Sequence, residues 1–191
     1  MRLILASTSK YRKSLLERVG IDVECVRPTY EEAAVEGMSA RELVLHHGIG
    51  KAANVAKMRE FGDDAWVIGS DQGLIFEERL VGKPGTVENA VAQLMAFRGR
   101  TCELVTSLCL YGALTGEYMT HVDTTELVFA ELSEAEIRNY VACDMPLDCA
   151  GSFKIESRGP ELFEAVRTED PTAIEGLPVM ALCGFLRKLR V

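Results

Sequence analysis

The stretch Leu3-Ile4-Leu5-Ala6-Ser7-Thr8-Ser9-Lys10-Tyr11-Arg12 decides the fold, because an apolar run passes into small hydroxyl residues and then into a helical pattern. Residues 3–6 predict a buried strand, and residues 10–19 predict a helix with one apolar face. The N-terminus of such a helix presents unpaired N–H groups and a positive dipole end, which suits a phosphate. Ser7 or Ser9 could equally do no more than cap the helix, so both interpretations stay open.

Beyond this opening, apolar periodicity predicts further elements along the whole chain. Strands are predicted at 21–26, 66–69, 103–110, 117–129, 152–156 and 162–166, and helices at 39–56, 86–97, 133–143 and 178–189. Ser39 with Glu42, and Ser133 with Glu136, have the spacing of a capping box at a helix start. Strands and helices alternate early and strands cluster in the middle, so we expect an α/β fold with a mixed β-sheet flanked by helices. No linker is visible, which predicts a single domain over residues 1–191.

The composition of the 191-residue chain is that of an ordinary globular protein, with 48% hydrophobic and 26% charged residues. A net charge of −8 and the lack of a Lys/Arg-rich run argue against a nucleic-acid partner. No apolar run approaches the roughly 20 residues that cross a bilayer, and the first apolar run is too short for a signal peptide. We therefore expect a cytoplasmic protein with no membrane contact. The six cysteines show no C-x-x-C pair or zinc spacing, so reduced thiols are expected.

Acidic residues at two places are candidates for chemistry. Asp71 follows a predicted buried strand, where α/β folds place ligand-handling groups, although a turn-forming Asp gives the same pattern. Glu31 and Glu32 are adjacent carboxylates that either hold Mg²⁺ or Mn²⁺ through oxygen ligands or are simply exposed.

Two lysine-containing segments have equally open interpretations. Gly82-Lys83-Pro84 lacks the P-loop spacing, so Lys83 is either a phosphate ligand or a solvated surface lysine. Lys154 and Glu156 fall on the same face of a predicted strand, where they could form a plain surface pair. No role is predicted for the histidines, which have neither metal-ligand nor triad spacing: His46, His47 and His121.

Taken in order, these motifs resemble the Maf family over essentially the whole chain. The resemblance is carried by Leu3-Ile4-Leu5-Ala6-Ser7-Thr8-Ser9-x-x-Arg12, Glu32, Lys51-Ala52, Ser70-Asp71-Gln72, Gly82-Lys83-Pro84 and Gly176-Leu177-Pro178. It implies an α/β fold of the inosine-triphosphatase type, with two lobes around a cleft. Family members are often dimeric, which leaves a homodimer open. The segments at 149–156, 162–164 and 170–171 resemble the branch that acts on 7-methyl-GTP.

The resemblance also implies roles for particular residues. Asp71 is the expected general base. By the same resemblance, base selection is assigned to Tyr11, Gln72 and Glu156. Phosphate handling is assigned to Ser7, Arg12, Lys51 and Lys83. A divalent cation (Mg²⁺, Mn²⁺ or Co²⁺) is expected to bind Glu32 and Asp71.

Three positions depart from the family pattern. Glu31 stands where Asp is frequent, Gly50 stands where a Glu commonly precedes the lysine, and Tyr11 replaces the Trp expected in the 7-methyl-GTP branch.

The expected function is therefore hydrolysis of a modified nucleoside triphosphate, 7-methyl-GTP in the first place, to the nucleoside monophosphate and pyrophosphate. Such an enzyme removes non-canonical nucleotides from the cell. The alternatives are a pyrophosphatase acting on dTTP or UTP, a phosphatase that releases orthophosphate, and a non-enzymatic regulator of septum formation in cell division.

Overall fold

A computed structural model of the chain describes residues 1–58, 60–62 and 64–189. Its helices are α1 (Lys10–Arg18), α2 (Ala40–Met58), α3 (Val87–Phe97), α4 (Glu134–Asp144) and α5 (Val179–Leu189). Its strands are β1 (Arg2–Leu5), β2 (Glu24–Cys25), β3 (Ala65–Gly69), β4 (Gln72–Phe76), β5 (Arg79–Val81), β6 (Thr101–Gly112), β7 (Tyr118–Phe129) and β8 (Phe163–Arg167). No helix within these ranges has the length and apolarity that crossing a membrane requires.

The strands of the described residues form one mixed sheet in the order β2-β1-β3-β6-β4-β5, with β7 paired to β6 and to β8. β1 runs parallel to both β2 and β3, and β3 runs antiparallel to β6. Parallel neighbours need a crossover, which α1 and α2 supply between β1, β2 and β3. The predicted α/β fold with a mixed sheet flanked by helices is confirmed.

The chain divides into two compact units. The first comprises residues 1–72, 106–123 and the segment from 170 onward, and the second comprises residues 73–105 and 124–169. β6 and β7 each contribute residues to both units.

The core of the first unit lies on both faces of β1, β3 and β6. Leu5 and Ile68 pack on one face with apolar residues of α1 and α5. Ile4 and Val67 pack on the other face with Ala52 and Val55 of α2. Neighbouring residues of a strand point to opposite faces, so a fully apolar strand can be buried between two helical layers. This layering fixes the position of the segment that follows β3.

A chain of aromatic contacts runs through the core of the second unit. Phe97 at the end of α3 contacts Phe76 and Phe129, at 5.1 and 5.3 Å between ring centroids. Phe129 in turn contacts Phe163, which contacts Phe153 at 5.2 Å. The tilted and edge-on geometries are those that aromatic pairs prefer.

Most helix starts were predicted correctly. Both capping boxes form: Ser39 and Glu42 bond each other's backbone N–H, as do Ser133 and Glu136. The hairpin of β4 and β5 was not predicted, because its two-residue turn is Glu77-Glu78 rather than the usual Asn-Gly.

Two strand predictions need correction. The strand expected at 21–26 is reduced to Glu24–Cys25. The strand expected at 152–156 is wrong: a short 3₁₀ turn, Ala150–Ser152, leads into an irregular segment. Gly151 and Ser152 have φ angles of 75° and 60°, and this left-handed backbone cannot continue as a strand.

Candidate active site

A lysine and two carboxylates meet in the first unit. Lys51 Nζ lies 2.6 Å from Asp71 Oδ1 and 2.7 Å from Glu32 Oε1. The side chains of Lys51 and Asp71 are 10% and 12% exposed, whereas Glu32 is 52% exposed. The structure thus brings together three residues that the sequence places far apart, in a partly buried group with one side open to solvent.

Close approach of α2 to β3 makes this contact possible. A Cβ atom at Gly69 would overlap the Gly48 carbonyl oxygen and crowd Ala52, and one at Gly48 would overlap the Ser107 hydroxyl. Both positions therefore need glycine, and with glycine there Lys51 reaches the end of β3. Neither glycine stands out in the sequence, because the effect of each depends on a partner distant in the chain.

The Asp71 backbone is fixed by Ser107 of β6. Asp71 N–H donates to Ser107 Oγ at 3.0 Å, and Ser107 N–H donates to the Asp71 carbonyl at 2.9 Å. The Ser107 hydroxyl donates onward to the Val44 carbonyl of α2. Ser107 thus holds the backbone of Asp71, the expected general base, in place. No sequence motif pointed to Ser107.

Arg12 of α1 is anchored by two backbone carbonyls. Its Nε donates to the Gly176 carbonyl at 2.8 Å and its Nη1 donates to the Ser70 carbonyl at 3.1 Å. Burial lowers the pKa of the Arg12 guanidinium, while the charges of Asp71 and Glu32 raise it. Arginine stays protonated at physiological pH, so Arg12 adds a fixed positive charge in the field of both carboxylates.

The Gly176-Leu177-Pro178 motif acts here through its backbone. Besides Arg12, the Ser70 hydroxyl also donates to the Gly176 carbonyl, at 2.8 Å. Gly176 has a φ of 107°, a conformation that favours glycine. The motif is visible in the sequence, but this function of its backbone is not.

The two serines before α1 have different roles. Ser9 Oγ accepts the Arg12 N–H at the start of α1, so capping is confirmed for Ser9. Ser7 is buried, with 8% exposure, and its hydroxyl accepts the Ser9 N–H at 3.1 Å. A phosphate role for Ser7 stays a prediction.

The residues assigned to base selection in the first unit differ in their surroundings. Tyr11 is 43% exposed on α1. The Gln72 amide, in contrast, donates to Thr106 Oγ1 and to the Ala173 carbonyl, each at 2.9 Å. Gln72 therefore ties the start of β4 to the 173–174 segment in this structure, and its contact with a base stays a prediction.

The half-buried Tyr30 and the buried His47 form a pair beside the Lys51, Asp71 and Glu32 group. Tyr30 Oη lies 3.0 Å from His47 Nδ1, and a Cβ at Gly50 would overlap the Tyr30 ring. Burial and the charges of Asp71 and Glu32 raise the pKa of Tyr30. Gly50, noted above as a departure, thus provides the space that Tyr30 fills. His47, for which no role was predicted, holds that ring.

Lys83 and Glu156 belong to the second unit. Both are exposed, Lys83 in the segment between β5 and α3 and Glu156 in a turn before β8. Lys154 does not share a strand face with Glu156, because residues 152–156 form no strand. The Lys154 ammonium group instead donates to the Asp144 carbonyl at the end of α4. The substrate roles of Lys83 and Glu156 stay predictions from the resemblance.

The first-unit carboxylates suit a hard cation. Among the described residues no group of three or more His, Cys, Asp or Glu side chains could hold a metal by itself. Glu32 and Asp71 converge on Lys51, and Mg²⁺ is commonly held by one or two carboxylates together with substrate phosphates. The donor set is thus compatible with a divalent ion that arrives with a phosphorylated ligand.

All six cysteines are free thiols.

Two cations and two carboxylates thus lie together near the carboxyl end of β3, the edge at which open α/β sheets bind their ligands. The family model described as Maf-like protein matches residues 2–189. The chain belongs to the Maf family.

Two relatives resemble the chain over nearly its full length. The chain is 46% identical over 188 residues to a protein of Xanthomonas axonopodis pv. citri named 7-methyl-GTP pyrophosphatase, covering 98% of this chain and 96% of that protein. It is 43% identical over 186 residues to a protein of the same name from Burkholderia lata, covering 97% and 89%. The solved Staphylococcus aureus Ham1 protein matches with a TM-score of 0.55 at 16% identity, covering 98% of this chain and 99% of that one. This last likeness concerns the fold alone.

Proposed function

We propose that the protein hydrolyses 7-methyl-GTP to 7-methyl-GMP and pyrophosphate in the cytoplasm, with the help of a divalent cation. The observation that carries the proposal is the group formed by Asp71, Lys51, Glu32 and Arg12. The names of the relatives supply the substrate.

The reaction is the attack of water on the α-phosphorus. A new P–O bond forms to the water oxygen, the bond between the α-phosphorus and the bridging oxygen breaks, and the electron pair leaves with pyrophosphate. Asp71 is the proposed acceptor of the water proton. Lys51 occupies its Oδ1, so the other carboxylate oxygen can face the water. A positioned general base typically contributes about 10²–10⁴-fold to the rate.

Charge neutralisation is the second requirement of phosphoryl chemistry. Lys51 and Arg12 supply fixed positive charges, with Arg12 held rigidly by two carbonyls. Ser7, before the N-terminus of α1, and Lys83 are the further proposed phosphate contacts. The divalent ion, held by Glu32 and Asp71 together with the substrate phosphates, would supply further positive charge to the triphosphate.

Base selection is assigned to an aromatic face and an acidic group. Methylation at N7 gives the guanine ring a positive charge, which an aromatic face attracts by roughly 0.5–2 kcal/mol. Tyr11 offers such a face, since it is exposed. Glu156 would accept hydrogen bonds from the guanine N1–H and amino groups, and Gln72 is the third proposed contact. A cationic base gains more than a neutral one from the tyrosine face and the carboxylate.

The test is product analysis on a nucleotide panel. Wild type and Asp71→Asn are incubated with 7-methyl-GTP, GTP, dTTP and UTP under Mg²⁺, Mn²⁺ and Co²⁺, and pyrophosphate and orthophosphate are measured. We expect pyrophosphate from 7-methyl-GTP with the wild type, none with chelator, and turnover lower by about 10²-fold or more in Asp71→Asn.

Other outcomes favour the alternatives. Preference for dTTP or UTP indicates the other branch, and orthophosphate as the first product indicates a phosphatase. No turnover of any nucleotide favours a non-enzymatic regulator. Near-wild-type turnover in folded Asp71→Asn contradicts the assigned base.

A further inference from the structure

Gln93 of α3 joins two segments of the second unit. Its Nε2 donates to the Gly82 carbonyl at 3.0 Å, next to Lys83. Its Oε1 accepts the hydroxyl of Ser152, in the 3₁₀ turn before the segment that carries Glu156. An amide can donate with one end and accept with the other, so a single side chain satisfies both contacts.

The Ser152 end of this link has an unusual backbone. Ser152 is fully buried and has a φ of 60°, in the left-handed region that favours glycine. A buried hydroxyl needs a hydrogen-bond partner, and Gln93 provides it. The contact therefore holds the turn at 150–152 in a conformation that a serine rarely adopts.

The Gly82 end belongs to a loop held by the same helix. Asn89, one turn before Gln93, donates to the Pro84 carbonyl at 2.9 Å. Thr86 caps α3 by accepting the Asn89 N–H. Residues 82–86 are thus fixed along the first turns of α3, with the exposed Lys83 among them.

We propose that Gln93 is a positioning residue of the active site, which holds residues 82–86 (the Lys83 loop) and the 150–152 turn in one fixed arrangement. The inference rests on the proposed function, which assigns phosphate contact to Lys83 and base contact to Glu156. Gln93 itself touches neither phosphate nor base. Loss of the link weakens substrate binding more than it slows the chemistry at Asp71.

The experiment uses two variants that each break one end of the link. Gln93→Glu keeps an acceptor for Ser152 but sets a carboxylate against the Gly82 carbonyl. Ser152→Ala removes only the donor to Gln93. The matched control is Glu88→Gln, an acid–amide exchange at an exposed position of the same helix. Thermal denaturation verifies that each variant is folded.

Four quantities are measured: kcat for 7-methyl-GTP, KM for 7-methyl-GTP, the inhibition constant of pyrophosphate, and the ratio of kcat/KM for 7-methyl-GTP to that for GTP. Pyrophosphate has phosphates but no base, so its inhibition constant reports on the phosphate contacts, Lys83 among them, and not on the base contact of Glu156. For Gln93→Glu we expect KM and the inhibition constant to rise about tenfold, as for one lost hydrogen bond, with kcat changed less than about twofold. For Ser152→Ala we expect the 7-methyl-GTP to GTP ratio to fall, with a smaller effect on pyrophosphate.

The outcomes separate the two proposals. A wild type without pyrophosphatase activity contradicts the proposed function, and the role of Gln93 with it. An active wild type, with all four quantities of both folded variants matching those of Glu88→Gln, overturns only the role of Gln93. If Gln93→Glu fails to fold, Ser152→Ala decides in the same way, through the ratio of kcat/KM for 7-methyl-GTP to that for GTP.

Discussion

Replacing Lys51 by methionine removes the cation that Asp71 and Glu32 share. The two carboxylate oxygens are no farther apart than the sum of their 2.6 and 2.7 Å distances to Nζ. At a separation of about 5 Å and an effective dielectric constant of about 20, two negative charges repel by roughly 3 kcal/mol. Glu32 is half-exposed, so solvent screening reduces this repulsion to about 1 kcal/mol.

Loss of the Lys51–Asp71 pair adds to this repulsion. Both side chains are mostly buried, and breaking a buried pair typically costs 3–5 kcal/mol, because one charge stays uncompensated. The positive charge of Arg12 interacts with both Asp71 and Glu32 and offsets part of that cost. We therefore expect Lys51→Met to lower the free energy of unfolding by about 3 kcal/mol in chelator.

A divalent ion reverses part of the loss, because it binds the two carboxylates that Lys51 no longer holds. At 100 times its dissociation constant the ion restores about 2.7 kcal/mol. Wild type gains less, since Lys51 competes for the same oxygens. Adding Asp71→Asn to Lys51→Met removes the uncompensated charge and restores stability in chelator without the ion.

The assay is urea denaturation of each variant with chelator and with Mg²⁺, with Lys57→Met as the control, an exposed lysine of the same helix. Lys51→Met within about 0.5 kcal/mol of Lys57→Met in chelator would refute the reasoning. So would a Lys51→Met/Asp71→Asn double variant that is no more stable than Lys51→Met alone.

Three further predictions concern other parts of the chain. Burial and two carboxylates raise the pKa of Tyr30, so the neutral phenol stabilises the fold below its ordinary pKa of 10.0, and this stabilisation is lost as the pH rises through the raised value. Subtracting the ultraviolet titration curve of Tyr30→Phe from that of wild type isolates the Tyr30 phenol, whose midpoint should lie above 10.0. Glu32→Gln should lower this midpoint, and an ordinary midpoint in wild type contradicts the site electrostatics. Glu77 and Glu78 form the β4–β5 turn at φ angles of 49° and 64°, so Glu78→Gly should raise the free energy of unfolding by about 1 kcal/mol in urea denaturation, and a loss of stability speaks against strain there. Glu156→Gln should lower the kcat/KM ratio of 7-methyl-GTP to GTP, and an unchanged ratio removes Glu156 from base selection.

The parts of the fold predicted from sequence are those that local chemistry determines. Residues 3–19 combine a buried run, a capping serine and a helical period, and they form β1 and α1 as expected. The Ser133–Glu136 capping box marks the start of α4 by spacing alone. Asp71 follows the strand β3, as its apolar run predicted.

The parts missed depend on partners distant in the chain. The Glu77-Glu78 turn has none of the residues that usually accept left-handed angles, so no local feature separates β4 from β5. The segment at 152–156 alternates like a strand, but Ser152 is held in a turn by Gln93. Tyr30 and Gly50 fit each other only because α2 folds against the segment that carries Glu32.

The central claim is tested most directly by following the oxygen atom of the attacking water into the products. Wild type hydrolyses 7-methyl-GTP in water labelled with heavy oxygen, and both products are analysed by mass spectrometry. Attack at the α-phosphorus, with Asp71 accepting the proton, predicts one labelled oxygen in 7-methyl-GMP, unlabelled pyrophosphate, and a rate lower by about 10²-fold or more in Asp71→Asn. Label in pyrophosphate, orthophosphate as the first product, or an unchanged rate in folded Asp71→Asn would contradict it.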